Sequence, residues 1–205
     1  TIGEGPGHSP GLSYFRAMVT TVKVTGTPVL NDIITVADLK TFCRVDSADE
    51  DTLMDALRQA AITWCEEYCS IRLGDVAAIA YADAWAPLGI TVGPVQSITS
   101  ITYTASDNTT QTLGASYYYS DLASQIARIR FVSPPDLYDD ALNRVQVNCV
   151  VGYPEASVPK PILQAIRILV GHFYENRQQV VTGTIATAVP FAVEALLSPY
   201  RLLHP

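Results

Sequence analysis

The sequence predicts an α+β fold: N- and C-terminal helices packed as a small helical bundle, with an inserted, mainly antiparallel β-sheet region between them. Three stretches of differing period predict it. Apolar residues recur at three- and four-residue spacing over residues 35–72, alternate every second position over 76–153, and return to helical spacing from 158. A chain read as helices, sheet, helices brings its two helical ends together to bury their stripes.

Each element has its own signature. Residues 1–34 are rich in Gly, Pro, Ser and Thr without a sustained period and read as a flexible N-terminal arm, with Met18 a candidate natural start. The first helix is predicted from Thr35, where Asp38 follows in capping-box spacing and Leu39, Phe42 and Cys43 share a face. Ser47 and Glu50 repeat the capping pattern. Asp49, Glu50 and Asp51 then sit near the positive end of a helix dipole, and Leu53, Leu57, Ala60, Ala61, Trp64 and Tyr68 form the expected buried stripe.

The central region starts near residue 76. "SITSITYTASDNTTQTL" reads as a strand, an Asp107-Asn108 turn and a return strand. "ARIRFV" alternates Arg128 and Arg130 with Ile129 and Phe131, while "RVQVNCVV" puts Val145, Val147, Cys149 and Val151 on one face. Helix resumes at Pro161, a residue suited to a first turn, with Ile162, Ala165, Ile166, Leu169, Val170 and Phe173 as its stripe. Gly171 inside that helix suggests the close approach of another backbone. A last helix is predicted from about Pro190 to Ser198, ended by Pro199. Residues 35–205 are taken as a single domain.

Composition narrows the function. Charged residues make up 16% of the 205 residues, against about 25% in ordinary globular proteins, which suggests surface meant to be covered by other chains. The formal net charge is −7, and residues 32–83 hold eleven acids against four bases, so specific nucleic-acid binding is not expected. No secretory h-region opens the sequence and the most apolar helical stretch is broken by Arg167, so neither export nor a membrane partner is expected, and a soluble protein made in a cytoplasm is the default. Cys43, Cys65, Cys69 and Cys149 lack CxxC spacing and read as buried or half-buried thiols.

Chemistry finds few candidates. The three histidines are His8, His172 and His204, and His172 has no G-x-S-x-G elbow or other nucleophile signature to serve. The run Asp46, Asp49, Glu50, Asp51 lacks the EF-hand's alternation and central glycine, so helix capping accounts for it and no metal is expected. Neither phosphate-loop pattern occurs. No catalytic residue and no cofactor are therefore assigned. Two other classes stay open: a hydrolase with a carboxylate pair of unrecognised type, favoured by acids clustered in an apolar cleft, and a carbohydrate- or peptide-binding module, favoured if Tyr117, Tyr118 and Tyr119 line a groove.

Four blocks carry a resemblance: "ITVADLKTFCRVDSADEDTLMDALRQAAITWCEEYC", "GPVQSITSITYTASDNTTQTL", "VPKPILQAIRILVGHFYENRQQVVTGT" and "VPFAVEALLSPYR". In this order, across about residues 33–203, the chain resembles the head-tail connector (adaptor, or head-completion) family of long-tailed bacteriophages. The resemblance implies a non-enzymatic virion protein in the neck, forming a homo-oligomeric, dodecameric ring beneath the portal. It also implies a DNA channel through the lumen without specific DNA binding, and a docking surface for a stopper or tail protein.

From the matched helix end and the matched close, His172, Glu175, Asn176, Arg177, Phe191, Pro199, Tyr200 and Arg201 are expected at a subunit or partner interface. The segment from Val180 to Pro205 is the expected portal contact, since Ile185, Val189, Phe191, Leu202 and Leu203 are too many apolar residues for a free tail. The Val-Val-Thr-Gly stretch after Gln179 reads as a hinge.

Overall fold

A computed structural model describes residues 18–19, 21–176 and 191–202. The chain runs through strands β1 (Met18–Val19) and β2 (Thr21–Val24), then helices α1 (Leu30–Ile33), α2 (Val36–Cys43) and α3 (Asp51–Cys69). Seven strands follow: β3 (Val76–Ala82), β4 (Leu88–Ile90), β5 (Val95–Thr104), β6 (Thr110–Thr112), β7 (Tyr118–Asp121), β8 (Ala127–Phe131) and β9 (Val145–Val151). Helices α4 (Lys160–Glu175) and α5 (Phe191–Leu197) close the fold. The α+β reading and its order of elements hold.

The strands form two sheets rather than one, in the orders β1-β4-β8-β7 and β2-β3-β9-β5-β6. All pairings are antiparallel except β1 with β4. Their inner faces share one apolar cluster. Val76, Ala78, Ala80 and Ala82 of β3 and Val145, Val147, Cys149 and Val151 of β9 come from one sheet, Leu88, Ile90, Ala127 and Ile129 from the other. Small alanines facing larger Leu and Ile let the sheets interdigitate. Trp85 closes one end, edge-on to Phe131 at 4.8 Å and tilted against Tyr103 at 5.4 Å.

A second cluster belongs to the helices. Leu39 of α2, Met54, Ala61, Ile62, Cys65 and Cys69 of α3, Ile162, Ala165, Ile166, Leu169 and Val170 of α4, and Val193 and Leu197 of α5 are buried together. The two helical ends of the chain therefore pack as expected.

Local chemistry explains the helix starts. Thr35 accepts from the Asp38 amide at 3.1 Å while Asp38 accepts from the Thr35 amide at 3.3 Å, a complete capping box. Pro161 sits in the first turn of α4. Residues 198–200 form a single 3₁₀ turn after α5, because Pro199 cannot continue the helix's hydrogen bonding.

Four expectations need correction. The flexible-arm reading of residues 1–34 does not hold for 21–34: β2 pairs with β3, and Ile33 and Ile34 are buried in the helical cluster. Polar turn residues around a few apolar anchors concealed this.

The Ser47/Glu50 capping box does not form. Ser47 accepts from Asp49 N–H at 3.1 Å and caps a 3₁₀ turn, while Glu50 accepts from the Tyr174 hydroxyl at 2.5 Å, a contact 124 residues away in sequence. The buried face of α3 is rotated from the expected stripe: Met54, Arg58, Ala61, Ile62, Cys65, Glu66 and Cys69 point inward, Leu53, Leu57, Trp64 and Tyr68 are half-buried, and Ala60 is exposed. Apolar residues outnumber one face of this helix, so periodicity alone could not choose its centre. Gly171 is approached by the Phe42 ring rather than by backbone, and a Cβ there would lie 3.3 Å from it.

Candidate subunit interface

The expected interface residues divide between two ends of the helical body. Tyr174 reaches Glu50 at the start of α3, whereas Leu202 N–H donates to the carbonyl of Cys69 at its end, at 2.9 Å. A helix of 19 residues separates them, roughly 28 Å at 1.5 Å per residue. His172, Glu175 and Asn176 therefore lie at one end of α3, and Pro199, Tyr200 and Arg201 at the other. They do not form one site.

At the first end, Asn176 closes α4 on itself. Its amide N–H donates to the His172 carbonyl at 3.0 Å and its side chain to the same carbonyl at 2.9 Å, while its Nδ2 lies 3.3 Å from His172 Nδ1. The polar groups of these two residues are thus largely occupied by a helix C-cap. Glu175 and Asn176 remain exposed. Arg177 and the Val-Val-Thr-Gly stretch lie outside the described residues, as do Val180, Ile185, Val189 and Leu203.

At the other end the chain's last described residues strap across α3. Trp64 and Tyr68 stack with ring centroids 5.0 Å apart at 10°, and the Arg201 guanidinium sits over the Tyr68 ring at 5.3 Å. Leu202 is buried in the helical cluster, so it anchors its own subunit; the expectation that it serves a partner is corrected. Phe191, at the start of α5, is 83% exposed while Val193 and Leu197 beneath it are fully buried. Its ring is presented outward by a helix that is itself held down.

Burial keeps the thiols protonated. Burial pushes the Cys65 thiol up to about 12 and the Cys69 thiol to about 11, and Cys149 in the sandwich likewise to about 11. Thiols that stay protonated are poor nucleophiles and poor ligands. Glu66, 8% exposed, is also raised by burial, opposed by the Leu73 N–H that donates to its Oε1 at 2.8 Å and by Arg72.

Sequence reading missed Arg58, which is 6% exposed inside the helical body. It donates to Asn31 Oδ1 at 2.6 Å and to the Ile34 carbonyl at 3.0 Å, and pairs with Asp55. No pattern marks a lone Arg on a helix as buried. Its role is to tie the segment before α2 to α3.

The two other functional classes meet specific geometry. Asp32, Asp75 and Glu155 line a cleft with Ile33, Leu73 and Tyr153, but its volume is about 180 Å³, and Asp75 accepts from the Gln96 side-chain amide. Ligand pockets usually run about 300–1,000 Å³. The three tyrosines do not share a groove: Tyr118 packs against the sandwich core, while Tyr119 and Tyr117 are exposed on the outer side. Among the described residues no group of three or more His, Cys, Asp or Glu is placed to hold a metal ion, and no helix is long and apolar enough to cross a membrane.

The fold matches the structure titled "Virion of native gene transfer agent (GTA) particle" with a TM-score of 0.72 at 19% identity, covering 90% of this chain and 96% of that one. It matches "Neck of empty GTA particle computed with C6 symmetry" with a TM-score of 0.70 at 20% identity, covering 89% and 97%. "Neck of native GTA particle computed with C12 symmetry" gives a TM-score of 0.66 at 20% identity, also covering 89% and 97%. No curated protein matches the chain by sequence. Over residues 33–128 the chain matches the family described as phage gp6-like head-tail connector protein, which bears out the resemblance read from its sequence.

Proposed function

We propose that this protein is a structural component of a virion neck: a head-tail connector whose copies form a ring at the portal vertex, extend the DNA channel and receive a stopper or tail protein. The observation that carries the reading is the fold match to 97% of a neck subunit, with both helical ends and the sandwich in place. One of those necks was computed with C12 symmetry, which suits a dodecameric ring. The role is one of contact rather than catalysis. An acidic chain suits a lumen that DNA must traverse without being held, because it offers few of the basic groups whose counterion release drives DNA binding.

Portal contact is assigned to the end carrying Phe191, with His172, Glu175 and Asn176 at the far end of α3 meeting a neighbour or the tail side. Mass measurement of the protein alone, and again with the portal protein, tests the reading: a stoichiometric ring on the portal is expected, and a monomer under both conditions sinks it. Phe191→Ser is the sharper probe of the portal assignment than truncation, because truncation also removes the buried Leu202. It should weaken portal binding at unchanged Tm. Unchanged binding would reassign the contact.

A further inference from the structure

The sandwich carries a knob and a socket on different sheets. The socket is the outer face of β7 and β8, where Tyr119 stands opposite Arg130 and Asp121 opposite Arg128. Tyr117 and Val132 extend the pairing by one step, Val132 N–H donating to the Tyr117 carbonyl at 2.8 Å. Tyr119 is 71% exposed, Tyr117 40% and Val132 37%. A depression of about 370 Å³ lies between Tyr119, Asp121, Arg128 and Arg130. Arg128 is matched by Asp121 at 2.5 Å, but Arg130 has no ion-pair partner among the described residues. The face is aromatic, apolar and locally cationic on a chain of net charge −7.

The knob is the loop from 136 to 142, between β8 and β9. It carries Asp136, Asp139 and Asp140, all exposed, and ends in Leu142, which at 81% exposure is apolar surface held in water. The loop is braced from below. Tyr138 N–H donates to the Thr104 carbonyl at 3.1 Å, Leu137 bridges to Ala105, Arg144 donates to the Asp83 carbonyl at 2.7 Å and to the Tyr138 carbonyl at 2.9 Å, and Trp85 Nε1 donates to the Pro135 carbonyl at 2.6 Å. A loop already fixed in shape loses little entropy on docking. Its anchors Thr104 and Ala105 belong to or adjoin β5 of the five-stranded sheet, whereas the socket lies on the four-stranded one.

We propose that the 136–142 loop of one copy docks on the outer face of β7 and β8 of the next, Leu142 against Tyr117, Tyr119 and Val132, with Asp136 and Asp140 towards Arg130. Two copies of an acidic chain repel each other overall, so a stable contact must join patches of opposite sign, and this basic face and this acidic loop supply them. Each copy holds one knob and one socket. Such contacts are heterologous and propagate head to tail, as ring closure requires. The proposal rests on the reading that copies of this chain assemble.

The test uses the full chain, with assembly measured by native mass alone and with the portal protein. Arg130→Glu is expected to weaken assembly roughly tenfold at unchanged Tm, and adding Asp136→Lys and Asp140→Lys to the same chain to restore it. Independently, Tyr119→Cys with Leu142→Cys in one chain should give, on oxidation, a disulfide-linked ladder beyond dimers, while each single variant gives none. If the wild type assembles but Arg130→Glu matches it, or the triple swap fails to rescue and no ladder forms, this contact is overturned and the ring reading stands. If the wild type does not assemble under either condition, the ring reading falls and the contact with it.

Discussion

The helical body and the sandwich solve the problem of a core differently. In the sandwich the buried side chains are almost all Val, Ala, Ile and Leu, and order comes from the alternation that the pleat imposes. In the helical body, buried Arg58 and Glu66 sit among apolar residues and two thiols, and each is held by a backbone group outside its own helix. The first can be built from pattern alone. The second needs particular partners, and it is also where the chain's last described residues are tied down.

The largest effect is expected where the two bodies meet. Gly152 has φ +109°, and a Cβ on it would lie 2.0 Å from the Gly74 carbonyl oxygen and 2.6 Å from its carbonyl carbon. Gly152→Ala should cost more than about 4 kcal/mol or abolish folding, read by denaturant unfolding; a loss under about 1 kcal/mol would show that the junction can shift.

Next come matched core truncations. Leu169→Ala in the helical cluster should cost about 3 kcal/mol and Val147→Ala in the sandwich about 2. Two separate clusters predict two calorimetric transitions, each lowered by only one of the variants. A single transition lowered by both would merge the bodies into one cooperative unit.

Acid and base act on the two regions in opposite senses. Burial raises Glu66 above its ordinary 4.5, so the folded helical body binds the extra proton; its contribution is complete below 4.5 and is lost as pH rises through the folded value. Arg128, then Ser124, hold Asp121 in the sandwich down at about 2, from an ordinary 3.8; its contribution is present above 3.8 and is lost as pH falls towards 2. Glu66→Gln should flatten the Tm-against-pH curve only above 4.5, and Asp121→Asn only below about 4. Either variant flattening the other limb would break the assignment.

The smallest effect is at the strap. Arg201→Ala removes a cation from the exposed side of the Tyr68 ring and should cost about 0.5 kcal/mol by thermal melting.

What the sequence made legible follows the same division. The inward faces of β8 and β9 and the stripe of α4 were readable because alternation or a clean helical period leaves one choice of face. The capping box at Thr35 was readable because both its partners lie within one turn. α3 was misjudged because it carries apolar residues on more than its buried face and hides an arginine and a glutamate there. Tyr174 with Glu50 and Leu202 with Cys69 join residues more than 100 positions apart, and no local pattern encodes such a pairing. The interface candidates came from matched blocks, so their separation to two ends of α3 could emerge only from the fold.

The close pass of Gly74 and Gly152 has a consequence for how such proteins change. After the opening strands β1 and β2, the chain re-enters the sandwich just after one of these glycines and leaves it just before the other, and Gly152 N–H is held by the Pro94 carbonyl at 2.8 Å. The long insert from β3 to β9 thus starts and ends at a single seam, and its ends are presented to the helical frame as those of a short closed loop. Loops of the insert away from β3, which holds β2, and from Gly93, which bridges to Ile71, could be lengthened or shortened without moving the frame. The seam separates what must be kept from what is free to diversify.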